Sequence, residues 1–463
     1  MMIYDIIIIG AGSAGISAYK QAVKHTDNIL IINHGPWDTT CARVGCMPSK
    51  LLISSANRLH DAQTLENVGI QANLKVDTSN VMNRVRKYRD HFTSAVLEDV
   101  NSWKDKHKIN GIASFIDKST IQVNNQTYQA KSFILAVGSE PRRNEEWEKI
   151  GNRLLTSDTI FELEQLPQSI AVIGSGSIAT ELAEALYHLG VEVTIFSRSS
   201  HIAIATSPKI QSLIQENFNQ KLNIHFETTP TSLTKEKEWV CVKYKNRENQ
   251  NEEEIKVEYV LNATGRTSLL SSLKLENIES SFSDIKNLPI DNSTKQLKNY
   301  PIFIVGDAYT TTPVQHEASY EGKISVNNCL SYPNVNDKKT YPPFSIVFSS
   351  PEIAVVGKSY KQLKDAEHKF TVGFASYTDQ GRATVLGKNI GGIEVYFDST
   401  TQEFLGAEIY VTEAEHLAHL LAWSLSEKAN LKQLLSKPYY HPTLEEGLRT
   451  SLRDAYSQLK SSD

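Results

Sequence analysis

The feature that most constrains this chain is a pattern that occurs twice, about one domain apart. A short apolar strand runs into a glycine-rich turn, a helix and a second apolar strand. Residues 3–9 read as an isoleucine-rich strand, 14–25 as a helix and 29–32 as another strand, which is a βαβ opening. Ser169–Ile173, Gly174–Gly176, Ile178–Leu189 and Val191–Phe196 repeat that order. Two such openings predict an α/β fold with two Rossmann-like units. At roughly 150 residues per domain, 463 residues leave room for a third. From about Tyr341 onward, 353–356, 392–397 and 404–411 alternate like strands and precede a helical stretch over 413–427, so a C-terminal α+β domain is expected. The stretch 81–106 mixes charges on a helical period and reads as a solvated helix.

Gly10, Gly12 and Gly15 form G-x-G-x-x-G between a strand and a helix, the context in which the motif binds a dinucleotide. The first glycine permits the turn, the second admits a pyrophosphate, and the third lets helix meet strand, while the helix N-terminus receives the anion. Asn33 stands where a ribose-binding carboxylate is usual, and it can still hydrogen-bond without charge. Gly174 and Gly176 open the second turn, with Ala179 in third position. The strand after it ends at Ser197-Arg198, with no carboxylate for a 2′-hydroxyl, and Arg198 could pair with a 2′-phosphate. Two fingerprints imply two dinucleotides, naturally a flavin and a nicotinamide.

Cys41 and Cys46 lie in C-A-R-V-G-C-M-P-S-K. On a regular helix, residues five apart rise by about 7.5 Å and diverge by about 140°, too far for a disulfide with Cα atoms within ~7 Å. The turn must be distorted, and Gly45 and Pro48 allow it. A redox-active disulfide is favoured over zinc, for which Cys241 and Cys329 stand isolated, and over an inert pair; no metal is expected. Near the other end, His441 and Glu446 offer a base with a carboxylate, although Thr443 and Glu446 also fit a helix capping box. A net charge of −5 provides no footprint for nucleic acid or an anionic membrane. The apolar run Ile6–Ile9 is too short for a span and lacks the basic start of a signal peptide, so a cytoplasmic protein is expected.

Taken in order, Gly10 to Gly15, C-x4-C-x-P-S-K, Ala136-Val137-Gly138-Ser139, Gly174 to Glu181, Ala263-Thr264-Gly265-Arg266, Gly306-Asp307, Ser350-Pro351-Glu352-Ile353 and H-P-T-L-x-E make essentially the whole chain resemble the flavoprotein pyridine nucleotide-disulfide oxidoreductases. Within them it is most similar to the dihydrolipoamide dehydrogenases. The resemblance implies an FAD-binding part over 1–150 with the cysteine pair, an NAD(P)-binding part over 151–270, a return segment over 271–340 completing the FAD site, and a dimerisation domain over 341–463. It implies that Cys46 lies against the flavin and that Cys41 meets substrate. Lys50 would sit near the flavin and pair with Glu181 by the nicotinamide, and His441 and Glu446 would reach the disulfide from the partner subunit of a homodimer. FAD contacts are implied at Gly10, Gly12, Gly15, Asn33, Thr40, Lys50, Ser139, Gly306 and Asp307. Contacts to NAD, or NADP, are implied at Gly174, Gly176, Glu181, Ser197, Arg198 and Gly265.

Several positions depart from the family pattern. Asp38-Thr39-Thr40-Cys41 replaces Gly-Gly-Thr-Cys, Thr267-Ser268 replaces Pro-Asn, and Ser197 replaces the acid that selects NAD. The expected function is oxidation of dihydrolipoamide, free or on a lipoyl carrier domain of another chain, with NAD⁺. The alternatives are an NADPH-dependent reductase of a low-molecular-weight disulfide or mercuric ion, and a flavoprotein that mainly docks in a multienzyme assembly.

Overall fold

A computed structural model describes residues 2–247, 249–309, 313–336 and 341–462. The chain forms two compact units, each assembled from three stretches. The first comprises Met1–Pro48, Arg86–Arg142 and Arg266–Tyr341. Its central strand, Ile3–Ile9, pairs in parallel with Ile29–Asn33 on one side and Gln126–Leu135 on the other. The run Ile6–Ile9 is apolar without interruption because a parallel strand is buried on both faces. Ile7 and Ile9 join one core with Phe133 and Leu135, while Ile6 and Ile8 point to the other, against Ala14, Ala18 and Tyr19 of the helix Ser13–Ala22. The ten-residue strand Gln126–Leu135 has two neighbours on its other edge. Its start pairs antiparallel with Thr120–Val123, and its end pairs in parallel with the returning strand Ile302–Ile304.

The second unit comprises Ser49–Val85, Arg143–Gly265 and Pro342–Asp463. It holds a five-stranded parallel sheet in which Ser169–Ile173 lies between Glu192–Phe196 and Tyr259–Asn262. A three-stranded antiparallel sheet spans 232–257. The strands expected over 353–356, 392–397 and 404–411 belong to a five-stranded antiparallel sheet completed by Phe344–Val347 and Phe370–Ser376. The helices Ala414–Ser426 and Glu445–Ser462 pack on that sheet, burying Leu417, Leu421, Leu448 and Leu452.

The helix expected over 81–106 runs from Thr78 to Asn101, and it is not solvated all round: Met82, Val85 and Val100 are buried. Just beyond its end, Trp103 is buried and stacks on Tyr19, ring centroids 3.9 Å apart. No described helix is long and apolar enough to cross a membrane.

Candidate active site

The two glycine-rich turns have the same backbone. Gly10 and Gly174 adopt φ of +104° and +122°, and a Cβ on either would lie 2.2 or 2.4 Å from the carbonyl oxygen of Ala136 or Ala263. Only glycine meets both demands. A Cβ at Gly12 or Gly176 would meet nothing within 4 Å, so each turn keeps open space at the residue that caps the following helix. Neither helix start, at Ser13 or Ser177, receives a side-chain cap. Uncapped amides beside an open cradle suit a phosphate anion, so these residues fit a dinucleotide in each unit.

At the end of the next strand, the structure shows where Asn33 and Ser197 direct their polar groups. Asn33 Oδ1 accepts from the Ala11 N–H at 3.0 Å, while its Nδ2 donates to the carbonyls of Gly35 and Pro36. Ser197 has no exposed surface; its hydroxyl lies 2.7 Å from the Ser175 hydroxyl and 2.7 Å from the Ser199 carbonyl oxygen. Both side chains thus brace their own glycine turn. Arg198, next in sequence, is exposed.

The helix is broken between the two cysteines. Thr40–Arg43 is a single turn, and a new helix, Cys46–Gln63, starts at the second cysteine. Gly45 lies in the break, where a Cβ would stand 3.0 Å from Cys41 Cα and 3.1 Å from the Thr40 carbonyl oxygen. Pro48 sits in the first turn of the new helix, where a missing N–H removes no helical bond. Cys41 is half-buried, while Thr40 and Cys46 are exposed. Just before them, Thr39 holds φ at +63° and ψ at 145°, a region that strains a β-branched residue. Its hydroxyl oxygen accepts from the Ala42 N–H, and Arg43 Nε donates to the buried Asp38 at 3.0 Å.

In the first unit, Arg266 donates to the hydroxyl and carbonyl of Ser139 at 3.0 and 2.8 Å. Asp307 follows Gly306 after the strand Ile302–Ile304. Burial raises the Asp307 carboxyl, and the Arg266 guanidinium opposes that shift. The Gly306 N–H donates to Glu321 Oε2 at 2.7 Å, and Lys295 pairs with the same carboxylate at 2.8 Å. Glu321 is therefore a support for the Gly306-Asp307 segment that sequence reasoning missed.

In the second unit, Lys50 Nζ donates to Glu181 Oε2 at 2.7 Å. The other oxygen of Glu181 accepts from the Phe348 N–H at 2.9 Å, and Lys50 lies 4.6 Å from the Phe348 ring centroid. Phe348 is a second missed residue, although its neighbours in the Ser350-Pro351-Glu352 motif marked the segment. Gly265 follows the strand Tyr259–Asn262.

His441 Nδ1 lies 3.1 Å from both carboxylate oxygens of Glu446. Glu446 Oε2 also accepts from the Thr443 N–H at 3.2 Å, which is one half of a capping box, so the carboxylate serves helix and histidine together. The Thr443 amide and His441 hold the Glu446 carboxyl below its usual range. His441 is largely exposed on its own chain, free to meet another molecule.

Comparison with known proteins identifies the family. Residues 4–322 match the family model for pyridine nucleotide-disulphide oxidoreductases, whose members use FAD and NAD or NADP, and residues 343–452 match that family's dimerisation domain. The chain is 29% identical over 451 residues to a mercuric reductase of Staphylococcus aureus, covering 96% of this chain and 81% of that one. It is 28% identical over 449 residues to a dihydrolipoyl dehydrogenase of Geobacillus stearothermophilus, covering 96% and 94%. The fold is shared with LpdA from Mycobacterium tuberculosis, at TM-score 0.83 and 20% identity over 97% of this chain and 98% of that one. It is shared also with the HOCl-induced flavoprotein disulfide reductase RclA of Escherichia coli, at 0.79 and 19% over 98% and 99%.

Proposed function

Since the chain belongs to the pyridine nucleotide-disulphide oxidoreductase family, we propose that it is a homodimeric FAD enzyme that oxidises dihydrolipoamide, free or on a lipoyl carrier, and passes the two electrons to NAD⁺. The observation that carries this reading is the His441–Glu446 pair at 3.1 Å. A dithiol substrate must lose protons, because a thiol of pKa near 8.5 is mostly protonated at neutral pH. Mercuric ion brings no such proton. Glu446 is held ionised and orients His441 as general base.

One substrate thiolate attacks Cys41 Sγ, the Cys41–Cys46 bond breaks, and Cys46 leaves as a thiolate. The second substrate thiol gives its proton to His441 of the partner subunit and its sulfur attacks the mixed disulfide, forming the cyclic disulfide and releasing Cys41 as a thiolate. FAD, when bound, would supply a two-electron carrier between the Cys41–Cys46 dithiol and the nicotinamide. Gly10, Gly12, Gly15, Asp307 and Ser139 would hold the FAD. Gly174, Gly176 and Gly265 would hold the nucleotide, and Lys50 with Glu181 would border the nicotinamide. A second reading, reduction of mercuric ion or a small disulfide by NADPH, is favoured by exposed Arg198 after a strand end without a carboxylate and by the mercuric reductase likeness.

Steady-state kinetics with dihydrolipoamide, glutathione disulfide and mercuric ion, each with NAD(H) and NADP(H), decide between them. The highest kcat/KM is expected for dihydrolipoamide with NAD⁺. His441→Gln should lower that turnover by about 10² to 10⁴ while NADH-to-dye transfer persists. A clear preference for mercuric ion or glutathione disulfide with NADPH overturns the reading.

A further inference from the structure

Three residues after Glu181, the helix Ser177–His188 carries a second carboxylate on the same face, Glu184, which is almost wholly buried. Glu184 repeats what Glu181 does, one step along the same connection. Glu181 accepts from the Phe348 N–H, and Glu184 Oε2 accepts from the Ser350 N–H at 2.7 Å. Lys221, the last residue of the helix Pro208–Lys221, closes the arrangement: its Nζ lies 3.2 Å from Glu184 Oε1 and donates to the Ser350 carbonyl at 2.9 Å. Both backbone groups of Ser350 are thereby held by one ion pair, whose carboxylate is buried and whose Lys221 is half-buried.

We propose that Glu184 and Lys221 are positioning residues for the nicotinamide half-reaction. They clamp the 348–351 turn so that Phe348 holds Glu181 by its amide and Lys50 by its ring. This rests on the reading that Lys50 and Glu181 border the nicotinamide. A buried carboxylate must be compensated, and the surroundings leave that task to Lys221. On the same helix, His188 comes within 4.0 Å of Glu184, but burial holds its imidazole down to about 3, so it is neutral. Its ring stacks flat on His60 from the helix Cys46–Gln63, centroids 4.1 Å apart, and burial with nearby Lys221 lowers His60 too. From the strand Phe404–Val411, Tyr410 donates to Asn217 and stays protonated, burial and Glu184 both raising it. Glu181 faces Lys50. Burial pushes the Glu184 carboxyl up to about 7, against the pull of Lys221 and the Ser350 amide. Above that pH the clamp is an ion pair; below it, Glu184 is neutral and Lys221 loses its counter-charge.

The test uses the full-length FAD holoenzyme. Anaerobic reduction by NADH is followed by stopped flow between pH 6 and 9, and hydrogen exchange is followed at the 344–352 segment with intrinsic rates corrected for pH. In the parent protein, the Phe348 and Ser350 amides should lose protection as pH rises through about 7, because a carboxyl raised by burial favours opening once it ionises, and reduction should slow in step. Glu184→Leu, which removes the acceptor of the Ser350 amide and the partner of Lys221, should abolish that pH dependence. At pH 6 it should be slower than the parent by roughly tenfold, a fraction of the ~10²-fold that a 1 Å misplacement can bring. Exchange between dihydrolipoamide and the cysteine pair should be unchanged. If Glu184→Leu fails to retain FAD, Lys221→Gln decides, because it removes the charged donor to the Ser350 carbonyl and should slow reduction at pH 6 likewise. Parent-like rate and protection at pH 6 in the decisive variant overturn the proposal. Glu181→Gln separates the two ideas: if it leaves NADH reduction unaltered, the nicotinamide reading fails, whereas if it slows reduction and the clamp variants do not, only the clamp fails.

Discussion

Of the three signature positions in the glycine-rich turns of the two units, only the third differs, and the difference shows what each glycine is for. Gly10 and Gly174 share a positive φ and a carbonyl pressed against the missing side chain, and Gly12 and Gly176 both face open space. The third position diverges. A Cβ at Gly15 would lie 1.9 Å from the Gly10 carbonyl oxygen, whereas Ala179 is accommodated with no exposed surface. In the first unit the helix Ser13–Ala22 is also pressed from outside, since a Cβ at Gly322 of the helix Gln315–Ser331 would lie 2.2 Å from the Ala14 carbonyl oxygen. The third glycine therefore answers to how closely helix meets strand, and the second to the ligand.

This contrast can be broken most forcefully at the third position. Gly15→Ala should destabilise by about 3 kcal/mol, at the upper end for overpacking, and yield protein without bound FAD. Ala179→Gly should cost only about 1 kcal/mol, the helix propensity of glycine, with FAD content unchanged. Equal effects of the two changes, measured by flavin content and denaturation midpoint, would dissolve the distinction.

A smaller pair of changes sharpens it at the strand ends. Asn33→Ala leaves the Ala11 N–H without its acceptor, which should cost about 1 to 3 kcal/mol and speed FAD release. Ser197→Ala removes a hydroxyl that meets another hydroxyl and a carbonyl, and should cost about 1 kcal/mol. Thermal unfolding and flavin release rates check both, and an unaffected flavin in Asn33→Ala would mean that this brace is idle.

The elements that repeat were legible because their signals are local. The unbroken Ile6–Ile9 run, the glycines and the alternating strands beyond residue 353 each carry their period within a few residues. The helix Cys46–Gln63 was not legible, because Gly45 and Pro48 read as breakers although the proline occupies a first-turn position. The antiparallel strands over 232–257 were hidden by Lys and Glu on an exposed face. His441 and Glu446 were legible as a base with a carboxylate, Lys50–Glu181 followed from resemblance, and the members of each pair meet in space. Asn33 and Ser197 were expected to face ribose, and nothing in the sequence told that their polar groups turn back to Ala11 and Ser175. Glu184 and Lys221 stand 37 residues apart, and only tertiary packing brings them to Ser350.

In the proposed function, the cysteine segment broken at Gly45 is the redox centre through which a dithiol feeds the flavin. Anaerobic titration of the holoenzyme with dihydrolipoamide tests it most directly. The parent should take up two electrons and develop a long-wavelength absorption band from a thiolate beside the flavin. Cys41→Ser should retain that band without added dithiol, and Cys46→Ser should abolish it. Retention of the band in Cys46→Ser with its loss in Cys41→Ser would reverse the two thiol roles, and a flavin reduced at the parent rate by dihydrolipoamide in both variants would contradict the account.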